Sequence, residues 1–203
     1  MSRVFKKYEI VRIAKFVPLI TKKIYSMKNQ DKLEFYKIRD RALFSLLYLT
    51  GARIGEIVKR VKKKDFEFIR FQNKQFMIVE LYTEKNRLHP LRRTPISIEK
   101  EKELVDYVTQ YMENLEDEDY LFPFTKQRAW QIINLILRYN KPRNRKNKFM
   151  NANHFLRHCR LTHLVTNYDF TDQDLVQFTG WANSIPAKSY MHLRFKDLAR
   201  KMV

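Results

Sequence analysis

The chain has 203 residues, 44% of them hydrophobic and 14% aromatic, which is enough for one sizeable core. Lys and Arg number 41 against 22 Asp and Glu, so the formal net charge of +19 indicates a polyanionic partner, nucleic acid before an anionic membrane surface. The sequence has no apolar run of membrane-spanning length and no signal-peptide pattern, and its single cysteine, Cys159, excludes an internal disulfide framework and fits a reducing compartment.

Hydrophobic periodicity in the first half predicts helices followed by a small sheet. Residues 1–36 have helical spacing, and the apolar stretch 38–49 predicts a buried helix with Gly51 as its C-terminal cap. Residues 53–61 predict a second, short helix after that turn. The β-rich runs within residues 65–98, including strands at 76–83 and 94–98, predict an antiparallel sheet with a basic hairpin tip.

The second half is predicted to be helical over residues 99–115, 126–139 and 153–168, with a basic loop at 140–148. Thr171 followed by Asp174 resembles a capping box, so a further helix is expected from there to Gly180. We therefore predict an α+β fold that is mainly helical with one small antiparallel sheet.

Three basic runs lie at the ends of predicted elements. One such run is ordinarily a solvated face, but three placed in this way are typical of a surface that binds phosphates. An acidic patch at residues 113–119 stands against them. The positions predicted to contact DNA are Lys62, Lys63, Lys64, Arg87, Arg92, Arg93, Arg143, Arg145 and Lys146.

Three short clusters contain residues suited to chemistry. His154, Arg157 and His158 share one helical face, where guanidinium and imidazole suit an oxyanion; a zinc site is disfavoured because the acid of the usual metalloprotease helix is missing. In the second cluster Arg53 begins a helix with Glu56 one turn on, and in the third Trp181 is followed by Tyr190. Each cluster alone also has a structural explanation, such as a core histidine, a helical ion pair or ordinary core aromatics.

Taken together and in this order, the clusters resemble the tyrosine recombinase (phage integrase) family over residues 38–195. The matching stretches are Thr50-Gly51-Ala52-Arg53-Ile54-Gly55-Glu56, Thr83-Glu84-Lys85-Asn86-Arg87, His154-Phe155-Leu156-Arg157-His158, and Gly180-Trp181 through to Tyr190. The resemblance implies cleavage of DNA without metal or cofactor, in which a tyrosine attacks a backbone phosphate and leaves a 3′-phosphotyrosine and a free 5′-hydroxyl.

The resemblance also implies a role for each matching residue. Arg53 and Arg157 correspond to the arginines that hold the non-bridging phosphate oxygens, and Tyr190 corresponds to the nucleophile. The remaining correspondences are His154 to proton transfer and phosphate binding, Lys85 to the acid that protonates the leaving 5′-oxygen, Trp181 to a hydrogen-bond donor, His158 to a supporting position and Glu56 to an indirect supporting position.

The resemblance implies a catalytic domain over residues 37–203, preceded by a helical segment, 1–36, that is a linker or the remnant of a DNA-clamp domain. Expected partners are double-stranded DNA and other copies of the chain, as a tetramer on DNA and a monomer when free, with residues 191–203 packing on a neighbouring subunit. A cytoplasmic location in a prokaryotic cell, or in the host of a virus or plasmid, and no membrane contact are expected.

Several alternatives remain open. The same chemistry would serve a topoisomerase with a tyrosine 3′-linkage or a hairpin-telomere resolvase. A catalytically silent DNA-binding protein of the same fold would not need Arg53, His154, Arg157 and Tyr190 together. A basic RNA-associated protein would account for the charge but would leave the ordered motifs to chance.

Overall fold

The computed structural model describes residues 4–25, 29–83, 90–139 and 152–191. Helices pack around one long central helix, and a three-stranded sheet lies at one side. The elements in chain order are α1 (Lys7–Ile24), α2 (Gln30–Thr50), α3 (Ile54–Ile57), a 3₁₀ turn (Lys63–Asp65), β1 (Phe66–Phe71), β2 (Lys74–Tyr82), β3 (Leu91–Ser97), α4 (Lys102–Met112), α5 (Lys126–Tyr139), α6 (Ala152–Tyr168) and α7 (Asp172–Thr179). Residues 185–191 are also helical. No helix in these ranges is long and apolar enough to cross a membrane.

The central helix is α2, whose second half is buried on nearly every side. It packs against α1, α4 and α6, so its apolar residues cannot be confined to one stripe. Gly51 ends α2 in the left-handed conformation with a φ of 57°, as the sequence predicted. The predicted boundary between residues 36 and 37 falls inside this helix, and α1 shares its hydrophobic core.

The sheet has the order β1-β2-β3, and both pairs are antiparallel, which confirms the predicted small antiparallel sheet. Gln72 and Asn73 connect β1 to β2, and both have positive φ angles, as tight hairpin turns that follow the strand twist require. The connection from β2 to β3, at residues 84–89, lies outside the described residues, and so does the predicted loop at 140–148.

The predicted helix over residues 53–61 is shorter than expected, because α3 ends at Ile57. Val58 is extended and Lys59 has a φ of 55°, which turns the chain so that the Lys59 N–H donates to the carbonyl of Phe122, 3.1 Å away. The Lys59 N–H therefore bonds outside the helix, and α3 ends although the N–H groups of Arg60 and Val61 still donate to the carbonyl of Ile57.

A buried ion pair fixes α6 against the start of α4. The Arg160 guanidinium donates to Glu101 Oε1 at 2.6 Å, and both side chains are fully or nearly fully buried. Lys7 at the start of α1 contacts the other carboxylate oxygen at 3.2 Å. Because a buried charge needs such partners, this contact fixes the position of the helix that also contains His154 and Arg157.

Candidate active site

Arg53 is held in place by the turn that follows α2 and by Glu56. Its backbone N–H donates to Glu56 Oε2 at 3.0 Å, and its Nη1 donates to Oε1 at 3.1 Å. Glu56 is completely buried, so this carboxylate fixes both the main chain and the side chain of Arg53. The tight turn at Gly51 then directs the arginine toward the N-terminal part of α6.

Arg157 approaches the same region from α6. Its Nη1 donates to the carbonyl of Gly51 at 2.7 Å, and its guanidinium lies 5.4 Å from the ring centroid of Trp181. Its Nη2 is buried without a hydrogen-bond partner among the described residues. Burial first, and then the charge of Arg53, lower the pKa of Arg157 to about 10, so the group is still a cation at neutral pH.

Tyr190 belongs to the helical residues 185–191 and reaches back toward α6. Its Oη lies 3.2 Å from Nδ1 of His158, and its ring stacks on Trp181 with centroids 6.4 Å apart. Burial raises the pKa of Tyr190, while the nearby Arg157 acts in the opposite direction. The hydroxyl is therefore neutral at neutral pH and needs a base or a bound phosphate to become a nucleophile.

A cavity of about 360 Å³ joins these side chains. It brings together Arg53, His154, Arg157, Trp181 and Tyr190, five of the six predicted catalytic residues, from parts of the chain up to 137 positions apart. The sixth, Lys85, lies outside the described residues. His154 is exposed where it lines the cavity. The remaining lining residues are Thr83, Gly180, Ala182, Asn183 and Pro186.

Thr83 and Asn183 are not among the site residues predicted from the sequence. Closeness in sequence to a predicted catalytic residue could have indicated both, since Thr83 lies two residues before Lys85 and Asn183 lies two residues after Trp181. The position of Thr83 also explains why residue 180 is a glycine. Gly180 has a φ of 66°, and a Cβ there would lie 2.3 Å from Thr83 Cγ2. The absence of a side chain lets the end of β2 touch the loop that presents Trp181.

The structure corrects the prediction that Arg92 contacts DNA, because Arg92 is not at the surface. The residue is only 5% exposed and lies on the face of β3 that is turned toward the core. It donates to Thr94 Oγ1 at 2.8 Å and to the carbonyl of Phe178, and it pairs with Glu56 at 3.4 Å. Arg92 therefore connects β3, the end of α7 and the carboxylate that holds Arg53.

The other predicted DNA contacts that are described have protein partners. Lys62 and Lys64 both pair with Glu118, at 2.8 and 2.7 Å, and together they lower the pKa of that carboxyl to about 2. Lys63 donates to the carbonyl of Leu115. Exposed Arg93 pairs with Glu67; positions Arg87, Arg143, Arg145 and Lys146 lie outside the described residues.

Two arginines, a histidine and a neutral phenol around one cavity define a site for an oxyanion beside a nucleophile. The chain belongs to the phage integrase family, whose model matches residues 20–197. This match confirms the resemblance found in the sequence. No curated protein sequence matches the chain significantly.

Solved structures share the fold. The XerH site-specific recombinase bound to its difH substrate in a pre-cleavage complex matches with 19% identity and a TM-score of 0.62, over 97% of this chain and 52% of that one. The XerA recombinase gives 21% identity and a TM-score of 0.62, over 100% and 64%. The catalytic domain of bacteriophage HP1 integrase gives 17% identity and a TM-score of 0.53, over 95% and 88%. The chain thus spans about half the length of the XerH recombinase, and the predicted α+β fold is confirmed.

Proposed function

We propose that this chain is the catalytic part of a site-specific DNA recombinase or integrase that cuts and rejoins strands through a 3′-phosphotyrosine. The observation that supports this most directly is the buried Nη2 of Arg157, which has no hydrogen-bond acceptor among the described residues although it belongs to a side chain of the cavity wall. A buried N–H without an acceptor is costly. A phosphate oxygen in the cavity would supply the missing acceptor.

The same phosphate would lie within reach of the other side chains of the cavity. Arg53 and Arg157 would neutralise the charge that develops as five-coordinate phosphorus forms, and Trp181 would donate its indole N–H. Tyr190 Oη would attack phosphorus and the 5′-oxygen would leave, protonated by Lys85. Because the phosphotyrosine ester conserves the energy of the broken phosphodiester, a 5′-hydroxyl can later displace the tyrosine without a cofactor.

Surface charge supports double-stranded DNA as the substrate. The net charge is +19, and exposed pairs such as Lys64 with Glu118 contribute little stability, so a DNA phosphate can replace the carboxylate. We further propose assembly as a tetramer on DNA, contact of residues 191–203 with a neighbouring subunit, and action in the cytoplasm of a prokaryotic cell. The solved XerH structure is a complex with difH substrate.

The test is formation of a covalent adduct in EDTA. The protein is incubated with a pool of nicked duplexes of random sequence, denatured with SDS, and the protein-linked strands are isolated and sequenced. Wild-type protein is expected to retain strands by their 3′ ends, and Tyr190→Phe to retain none while still binding DNA. Binding without any adduct from the wild type would instead favour the catalytically silent DNA-binding protein.

Plasmid relaxation separates recombination from the topoisomerase alternative. A recombinase is expected to act only on plasmids that contain the sequence recovered from the adducts, and to exchange strands between two such sites. Relaxation of plasmids without that sequence, and no exchange, would favour the topoisomerase.

A further inference from the structure

His158, rather than His154, is the histidine in hydrogen-bond contact with the Tyr190 hydroxyl. The Nδ1 to Oη distance is 3.2 Å, and the two ring centroids are 5.3 Å apart. His158 is half-buried, whereas His154, one helical turn earlier on α6, is exposed where it lines the cavity. The two histidines therefore occupy different positions relative to the reacting atoms.

The surroundings of His158 keep its imidazole neutral. Burial lowers the pKa of His158. Within the described residues, the titratable groups beside the His158–Tyr190 pair are Arg157, a cation, and Cys159, whose thiol pKa is raised to about 12 by burial, so neither offers a negative charge to an imidazolium. In the tautomer with its proton on Nε2, His158 has a lone pair at Nδ1 that faces the phenol.

We propose that His158 accepts the Tyr190 proton during strand cleavage, an inference that rests on the function proposed above. In this step the bond from Tyr190 Oη to phosphorus forms and the bond from phosphorus to the 5′-oxygen breaks. The phenolic proton moves to His158 Nδ1, and the leaving oxygen takes its proton from Lys85. In the rejoining step the imidazolium returns the proton to the departing tyrosine.

The proton moves with the bond to phosphorus rather than before it. A phenol in this site has a higher pKa than the imidazole, so transfer in the resting site is unfavourable. As the oxygen bonds to phosphorus its basicity falls, and transfer to His158 becomes favourable. His154 lines the exposed side of the cavity, where it can hydrogen-bond a phosphate oxygen.

The test compares variants in the covalent-adduct assay, with DNA sequences recovered from the wild-type adducts. His158→Asn places an amide oxygen near the position of Nδ1, so it keeps a hydrogen-bond acceptor but cannot take a proton. General base catalysis contributes about 10²- to 10⁴-fold, so the rate of adduct formation should fall at least about 100-fold at neutral pH. DNA affinity should change by less than about threefold, since the change lies beneath the tyrosine.

A fluorinated tyrosine distinguishes proton transfer from packing. Difluorotyrosine at position 190 has a more acidic phenol. It should therefore raise the rate of adduct formation by the His158→Asn variant at least about tenfold. His154→Asn is the matched control, and its defect should not be recovered. His158→Gln is measured in the same way, so that the test does not depend on the folding of one variant.

Adduct formation by His158→Asn or His158→Gln within about threefold of wild type would overturn the proposal. A defect that difluorotyrosine leaves unchanged would also overturn it, because His158 would then only pack against the tyrosine. Both results presuppose an adduct in the wild type, whose absence would instead contradict the proposed function.

Discussion

Replacing Arg92 by Met tests whether a buried arginine maintains the site from within. The Arg92 side chain is 3% exposed and donates to Thr94, to the carbonyl of Phe178 and, at 3.4 Å, to Glu56. Met fills a similar volume without a donor, so these acceptors and the carbonyl of Thr50, 3.5 Å from Nη1, all lose the Arg92 donor. Of the counter-ions in the described part of the chain, Glu56 would then keep only Arg53.

The expected loss of stability is large. Removing one partner of a buried ion pair costs about 3–5 kcal/mol, against a total free energy of unfolding of about 5–15 kcal/mol for a natural domain. For a chain of this length each kcal/mol shifts Tm by about 2–4 °C, so Tm should fall by about 6–20 °C. The lowered pKa of Arg92, caused mainly by burial, fits this cost, since the buried charge depends on its partners.

The neighbouring arginine supplies the control. Arg93→Met removes the same charge one residue along β3, but Arg93 faces solvent and its pair with Glu67 is exposed, so about 0–1 kcal/mol is expected. Urea unfolding followed by circular dichroism measures both variants. If Arg92→Met lost no more stability than Arg93→Met, or lowered DNA affinity while leaving stability intact, the structural role assigned to Arg92 would be wrong.

Three smaller predictions concern other positions. Gly180→Ala should destabilise the protein more than Gly51→Ala, as measured by urea unfolding. Both positions require a positive φ, which costs alanine about 1–2 kcal/mol. Gly180→Ala has an additional cost because its new Cβ would lie 2.3 Å from the nearest atom, against 3.6 Å at Gly51. Burial lowers the pKa of His163 to about 4 from 6.5, so the unfolded chain binds more protons between these values. The stability that this group contributes is then complete above pH 6.5 and is lost as the pH falls to 4, by about 3 kcal/mol at 1.36 kcal/mol per pKa unit. His163→Asn should remove that pH dependence. Equal slopes of unfolding free energy against pH in both proteins would contradict it. Cys159 is fully buried and its pKa is raised to about 12, so it should react with a thiol reagent only at the rate of unfolding, and fast reaction of the native protein would refute this.

Most of the fold was predictable because its signals are local. Periodicity predicted α5 at its observed bounds and α6 within one residue, and the turns at Gly51 and Gly180 require the left-handed conformation that glycine adopts easily. The length of α3 was not predictable in the same way. Its end depends on a hydrogen bond from Lys59 to Phe122, 63 positions along the chain, and no local pattern indicates such a partner.

The site residues were predictable as a set, but their relations to one another were not. His154 and His158 lie one turn apart on α6, and their spacing alone does not say which one meets Tyr190. That choice depends on where residues 185–191 pack, and the contact is made with His158.

Arg92 and Arg93 pose the same problem within a strand, and here strand register supplies the answer. Both are basic, and the composition of β3 does not show which of them points inward. In the sheet Arg92 pairs with Leu81, a buried residue of β2, and paired residues of neighbouring strands lie on the same face. Once the β2–β3 register is known, burial of Arg92 follows from strand parity. An arginine on the buried face needs a carboxylate, and Glu56, which already holds Arg53, meets that need.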